Sequence, residues 1–471
     1  AALFPFGPIN FNGMLTLNDA APALTAGSTA EVEVLTGLVA QSPTHVFVGA
    51  TKTATSVTVD DVVRAGLAAD VVVSSSGTVS SVTAINGAQT VTSSTATASQ
   101  AAKLAAISKA IGYNIEDTAA NIAANIGGLN ESINITSTDS CTFAQAKVIE
   151  DATNSGNISY DISDTAANIA AGIGSDEAVF TTNGVGTVAA DTYATKIEAD
   201  IIAGSAKAIV FSMKDTAANL AAAAEATRTE TVNIIATTDA TVAEATKIVE
   251  NTSGYNTFNI TDNVANLVAS NNTLLAKAVT VTATGNATIS QSNDLSGYTK
   301  AVIYNISDEA ANALQNGGTG YNEAVDITIT TDLTFAFARK LFEATNSGNK
   351  TYTINDTAAN ITAGISASLG TINGATTVTA SDAATFTEAA TMSGIDKAIS
   401  YSISDAQGNI PASTTAAINE AENITITPGT VNFAQAKIID DGSNSGTNTY
   451  SISDTAANLA AGTVTSVTAL N

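Results

Sequence analysis

One ten-residue phrase recurs along this chain at a nearly constant interval, and it limits the available folds more than any other feature. It reads YNIEDTAANI at 113–122, YDISDTAANI at 160–169, FSMKDTAANL at 211–220 and FNITDNVANL at 258–267. It continues as YNISDEAANA at 304–313, YTINDTAANI at 352–361, YSISDAQGNI at 401–410 and YSISDTAANL at 450–459. An aromatic, an acid and an amide hold the same places throughout. They are Tyr113, Asp117 and Asn121; Tyr160, Asp164 and Asn168; Phe211, Asp215 and Asn219; Phe258, Asp262 and Asn266. The later four sets are Tyr304, Asp308 and Asn312; Tyr352, Asp356 and Asn360; Tyr401, Asp405 and Asn409; Tyr450, Asp454 and Asn458. The aspartates stand 46 to 51 residues apart. Self-similarity at such a period marks a repeat array, in which one unit buries its apolar face only against its neighbours.

A second motif lies between the copies. It opens with a short alternating strand, as in Ile133-x-Ile135, Val232-x-Ile234, Val279-x-Val281, Val325-x-Ile327 and Ile424-x-Ile426. An alanine-rich helical stretch follows, as in FAQAKVI (143–149), VAEATKI (242–248), FAFARKL (335–341) and FAQAKII (433–439). A glycine turn, ATNSG at 152–156 and 344–348, often closes it. Each period therefore holds an aspartate half and a linking half, both of strand-then-helix type. The expected fold is an α/β solenoid of about eight repeats of ~47 residues, with a leucine-rich-repeat-like parallel sheet and short helices. A coil of about 23 residues and one of about 47 both fit this pattern.

Local chemistry supports the assignment. In Tyr-x-Ile-x-Asp the aromatic and the isoleucine fall on one face of a strand. The alanines that follow are strong helix formers, and Asp is a favoured N-cap whose charge suits the positive helix end. The Asn four residues later is expected to join an asparagine ladder between coils, and the aromatics to form a stacked column.

Residues 1–78 lack the motif, whereas 79–471 carry it as one solenoid domain. The first segment reads either as a capping repeat or as an assembly arm, with FPFGPINFNGML at 4–15 concentrating Phe and Pro. The opening Ala1-Ala2-Leu3-Phe4-Pro5 fits a mature end left by signal cleavage, and equally a trimmed longer chain. VTSVTALN at 464–471 is expected as a final strand with no polar cap.

Composition narrows the function. Net charge is −26, from 43 acidic and 17 basic residues, which argues against nucleic acid and anionic membrane surfaces as partners. No run of 18 apolar residues is present, so no membrane span is expected. Charged residues are 13% and aromatics 5%, so the core must be thin and built largely on alanine. A single histidine, His45, and a single cysteine, Cys141, exclude clustered zinc ligands and leave nucleophilic triads without partners. No phosphate-binding glycine loop occurs, and GVG at 184–186 reads as a turn. Calcium is the most plausible ligand, at the acidic turns Asp60-Asp61, Glu150-Asp151 and Asp440-Asp441, although solvated turns are the better explanation of them and no cofactor is expected. An acid repeated in one local context serves the fold, so no catalytic, cofactor or metal residue is assigned. A polysaccharide-active enzyme would need non-repeating carboxylates, most naturally where the pattern breaks at 180–200 or 405–420.

The Tyr-x-Ile-Ser-Asp-Thr-Ala-Ala-Asn-Leu copies and the Phe-Ala-Gln-Ala…Ala-Thr-Asn-Ser-Gly stretches resemble the repeat regions of very large secreted bacterial surface proteins. These are the S-layer-like and adhesin-like proteins of cyanobacterial and proteobacterial type. The resemblance covers roughly residues 79–471. It implies an extracellular or cell-surface location and a role in cell coats, filaments or adhesion. The calcium-binding nonapeptides of some members are missing here. The expected function is a non-enzymatic, self-associating subunit of a surface layer or filament, its main partner being further copies of itself. The alternatives are an adhesin or glycan-binding stalk that holds cell-surface polysaccharide, and a solenoid enzyme.

Overall fold

The computed structural model describes residues 95–107, 110–251, 254–315 and 320–465. The expected N-terminal segment 1–78, with His45 and the Asp60-Asp61 turn, lies outside the described residues, as do 79–94. Strands and helices alternate along the rest, and the strand pairings are parallel. Paired positions lie 19 to 26 residues apart: Ala96 with Ile115, Ile115 with Ile135, Ile135 with Ile158 and Ile162 with Val188. Each half therefore lays down its own strand, and its helix returns the chain for the next parallel one.

The chain divides into two compact units, Ala1–Thr237 with Glu250–Asn256, and Thr238–Val249 with Thr257–Asn471. In the first, strands Ile115–Asp117, Ile135–Ser137, Ile158–Asp164 and Val185–Ala190 form a sheet in chain order. Bridges at Ala189–Val210 and Ala194–Met213 lead on to Met213–Asp215, which pairs with Ile234–Ala236. In the second, Ile260–Asn263, Val281–Ala287, Val302–Asp308, Ile327–Ile329 and Lys350–Thr351 form a five-stranded sheet in chain order. Ile354–Asp356 pairs with Val378–Ala380, and Ile424–Val431 lies between Ile403–Asp405 and Asn448–Ile452. Among the described residues these sheets are open, and no barrel closes.

The linking strands carry a bulge that the sequence pattern conceals. Ile135 pairs with Ile158 and Cys141 with Ile162, so a step of six residues faces a step of four. The same mismatch occurs where Val281 and Ala287 pair with Val302 and Ile306. Two extra residues loop out at each, and the loop tips become available for other bonds.

Seven helices of the linking halves start on a capping box, in which a Thr or Asn and a Gln or Glu three residues later bond each other's backbone N–H, whereas Phe335–Phe342 has none. The pairs are Thr97/Gln100, Thr142/Gln145, Thr195/Glu198, Thr241/Glu244, Thr288/Gln291, Thr385/Glu388 and Asn432/Gln435. Residues at the fourth and seventh helical positions face the sheet. Ala146, Ala245, Ala338 and Ala436 are each 0% exposed, and Ile149, Ile248, Leu341 and Ile439 are buried beside them. Burying one such large aliphatic side chain stabilises by about 2 kcal/mol. The alanines set the spacing: a Cβ added at Gly128 would come within 2.7 Å of the Ala101 Cβ.

The expected strand at 464–471 is not formed at its start, because helix Ala456–Thr465 runs through 464 and 465; the remainder lies outside the described residues. That stretch continues the alanine-rich helix of the last aspartate half without a breaking proline. No helix among the described residues is long and apolar enough to cross a membrane.

Candidate functional site

At five copies the aspartate does not cap its own helix. That role falls to the next residue: the side chains of Thr118, Thr165, Thr216, Asn263 and Thr357 accept the N–H three positions on. Threonine and asparagine are adequate caps, which releases the aspartate for a longer reach. Asp117 Oδ1 accepts the Thr118 N–H at 2.8 Å and the Asn121 Nδ2 at 2.7 Å. Its Oδ2 accepts the N–H of Ala98, the first helical residue of the preceding linking half, at 3.0 Å.

This clamp is repeated at every copy. The linking-half donors are Phe143 to Asp164, Lys196 to Asp215, Val242 to Asp262, Ile289 to Asp308 and Phe335 to Asp356, each at 2.9 Å. Phe386 to Asp405 and Phe433 to Asp454 follow at 3.0 Å. The first N–H groups of a helix have no partner inside it and form its positive end, so a carboxylate is the natural acceptor.

The repeated asparagines serve the acid, not a ladder. Asn168, Asn219, Asn266, Asn312, Asn360, Asn409 and Asn458 each donate Nδ2 to the Oδ1 of the aspartate four residues before, at 2.7 to 2.8 Å. Burial raises the carboxyls of Asp117 and Asp308. The side-chain amides of Asn121 and Asn312 and the backbone donors outweigh it, leaving both below the ordinary carboxylate range. Asp215, Asp262 and Asp405 are lowered against burial in the same way, with the linking-half N–H or the asparagine as the leading donor. At Asp454 the Phe433 N–H is the main cause.

The ladder lies elsewhere, between the second residue of the repeat phrase and polar positions on the linking strands. Asn134 donates to the Asn114 side chain at 2.9 Å and accepts the Asn157 N–H at 2.8 Å. Asp326 bonds the Asn305 side chain and the Asn349 N–H, and Asn423 bonds the Ser402 hydroxyl and the Thr447 N–H. A polar residue between two strand apolars, as in Ile133-Asn134-Ile135, is the signal that marks them.

Seven of the eight aromatics are buried, but they do not form a stacked column. Tyr113, just before strand Ile115–Asp117, and Tyr160, in strand Ile158–Asp164, have a linking strand between their strands, two steps of about 4.8 Å each, too far for ring contact. Their phenols reach helix ends instead. Tyr113 donates to Gly128 O and Tyr304 to Gly320 O at 2.8 Å, Tyr352 to Thr371 O at 2.9 Å and Tyr401 to Ala417 O at 3.0 Å. Burial pushes the Tyr352 phenol up to about 12. Tyr160 differs, donating to Glu150 Oε1 at 2.8 Å. Phe211 and Phe258 fill the same buried place without a hydroxyl, and Tyr450 is half-buried.

The bulge tips complete the scheme. Asp139 Oδ1 accepts the Ala119 N–H at 2.6 Å and Asp382 Oδ1 the Ala358 N–H at 2.7 Å. Thr192 and Thr331 hydroxyls take the N–H groups of Ala166 and Ala310. Side chains of one half thus finish the helices of the half before it, in both kinds of half. The remaining acidic turns are also engaged: Glu150 by Tyr160, and Asp441 by the Lys437 ammonium at 2.8 Å. Among the described residues no group of three or more His, Cys, Asp or Glu side chains is placed to hold a metal ion. No protein-family model, curated protein or solved structure matches this chain.

Proposed function

We propose that the chain is a non-enzymatic structural subunit: an α/β solenoid of about eight ~47-residue repeats that self-associates into an extracellular surface layer or filament. One observation carries this reading. In all eight copies the aspartate spends both oxygens on backbone and amide N–H groups of two adjoining halves. A carboxylate so engaged is scaffold. The resemblance to repeat regions of secreted bacterial surface proteins supplies the location.

The test is sedimentation and negative-stain microscopy of the full chain over a wide concentration range, with calcium and with chelator. Regular polymers are expected. A protein that sediments as a monomer at every concentration in both conditions refutes assembly, and small-angle scattering from a compact sphere refutes the solenoid.

A further inference from the structure

We propose that the row of aspartate clamps is an acid-release device: taking up protons at these carboxylates parts each aspartate half from the linking half before it, cooperatively and reversibly. The geometry that requires this is clearest at Asp308. Its Oδ1 accepts the Glu309 N–H at 2.8 Å and the Asn312 Nδ2 at 2.7 Å, and its Oδ2 accepts the Ile289 N–H at 2.9 Å. All three partners are donors. Both lone pairs of Oδ1 are engaged, so a proton there meets a donor; a proton on the free lone pair of Oδ2 removes the charge that holds the Ile289 N–H, so protonation at either oxygen weakens the clamp.

Among the described residues of the elements packed against Asp308, no cation stands by to take over. The paired strands Val281–Ala287 and Ile327–Ile329 and the helix Ala310–Gln315 contain no charged residue. Helix Ile289–Ser296 contributes Asp294, and helix Gly320–Glu323 contributes Glu323 and Tyr321, whose phenol is pushed up by burial and, less, by Asp308. Glu309 follows in the chain, and Asp332 stands beyond the strand Ile327–Ile329. The charge of Asp308 is thus balanced by neutral dipoles and helix ends alone. Six of the eight clamp carboxyls are held low in the fold. A group lowered by folding contributes stability that is full above the unfolded value of about 3.9 and is lost as pH falls through the lower folded value. Because coupling in such arrays runs between neighbours, the copies should open together.

The test uses the full chain, with hydrogen exchange read by mass spectrometry as protection factors from pH 7 down to pH 2.5. Asp308→Asn keeps the shape and places a donor amide among the donors, imitating the protonated clamp. At pH 7 it is expected to lower protection across 289–296 at least tenfold and to remove that segment's further loss in acid. Glu309→Gln, beside the clamp, should leave both unchanged. Unaltered protection at pH 7 in Asp308→Asn, or an acid response in 289–296 like that of the parent, overturns the proposal. Should the variant not fold, the parent chain decides. Its urea midpoint should be level above about pH 5 and fall steeply near pH 4 and below, even in 1 M salt, which screens surface repulsion. A midpoint that is flat to pH 2.5, or a fall abolished by salt, overturns it equally.

Discussion

Substituting Asn266 separates a clamp from an ordinary surface asparagine. Asp262 accepts the Asn266 Nδ2 and the Asn263 N–H at 2.8 Å and the Val242 N–H at 2.9 Å, and it is 8% exposed. Asn266→Ala removes one hydrogen bond to a charged group, worth about 1.5 kcal/mol when the donor is exposed. Asn266→Asp does more, because it puts a carboxylate oxygen where the amide nitrogen stood. Two unit charges at the 2.8 Å separation repel by about 6 kcal/mol at an effective dielectric of 20. Asn266 is exposed, so the new side chain can swing into water. The residual cost is expected to be about 2 kcal/mol beyond that of alanine. Urea unfolding at pH 7, with hydrogen exchange over 238–270 to localise the loss, should rank the parent above Asn266→Ala and that above Asn266→Asp. The gap between the two variants belongs to paired negative charge, so it must be largest at neutral pH. It must close as pH falls toward about 4, where one carboxyl takes a proton. Equal stability of the two variants at pH 7, or a gap that stays constant down to pH 4, would refute the clamp as the role of this asparagine.

Two further outcomes follow from packing. Gly348 lies against the previous half so closely that an added Cβ would stand 2.7 Å from Val325 O and 3.1 Å from its carbonyl carbon, both backbone. Gly348→Ala should therefore cost more than about 2 kcal/mol in urea unfolding, and a loss under about 0.5 kcal/mol would contradict the tight stacking of this turn. Cys141 is 0% exposed, and burial pushes its thiol up to about 11, offset only in part by a hydrogen bond from Ser137. Iodoacetamide at pH 8 should leave it unmodified in the folded chain and alkylate it in urea; rapid alkylation without denaturant would show that the bridge to Ile162 is open.

Much of the fold was legible because it is local and repeated. Tyr113 and Ile115 alternate with polar neighbours, and the Ala-Ala-Asn-Ile run after Thr118 is helical on propensity alone. The α/β alternation and the parallel pairing followed from these periods. The capping boxes were legible too, since Thr142 and Gln145 stand at the required spacing, but the repeated aspartate drew the capping role to itself. What a one-dimensional pattern hides is a partner about 20 residues away. Nothing in the residues around Ala98 says that its N–H awaits Asp117, because the bond exists only once two halves are stacked. The bulges were hidden for a similar reason. A step of six residues against four is a property of two strands, and Ile135 to Cys141 looks ordinary until Ile158 to Ile162 is laid beside it.

The same bonds assign each clamp residue, energetically, to the half that precedes it. Linking helices are completed by the repeated aspartate of the next half, as Ile289 is by Asp308. Helices of the aspartate half are completed by a bulge residue of the linking half that follows, as Ala310 is by Thr331 and Ala358 by Asp382. A helix of six to eight residues is too short to hold itself in water, since nucleation is costly and propagation brief. Its stability must come from the face it buries and from the groups that satisfy its ends. In this chain the N-terminal ends are satisfied partly by local caps and partly by side chains of the half that follows. No half is therefore complete by itself, and the unit that can stand alone is a pair or more of consecutive halves. That is the physical reason a phrase as short as Asp-Thr-Ala-Ala-Asn must be repeated for any one copy of it to fold.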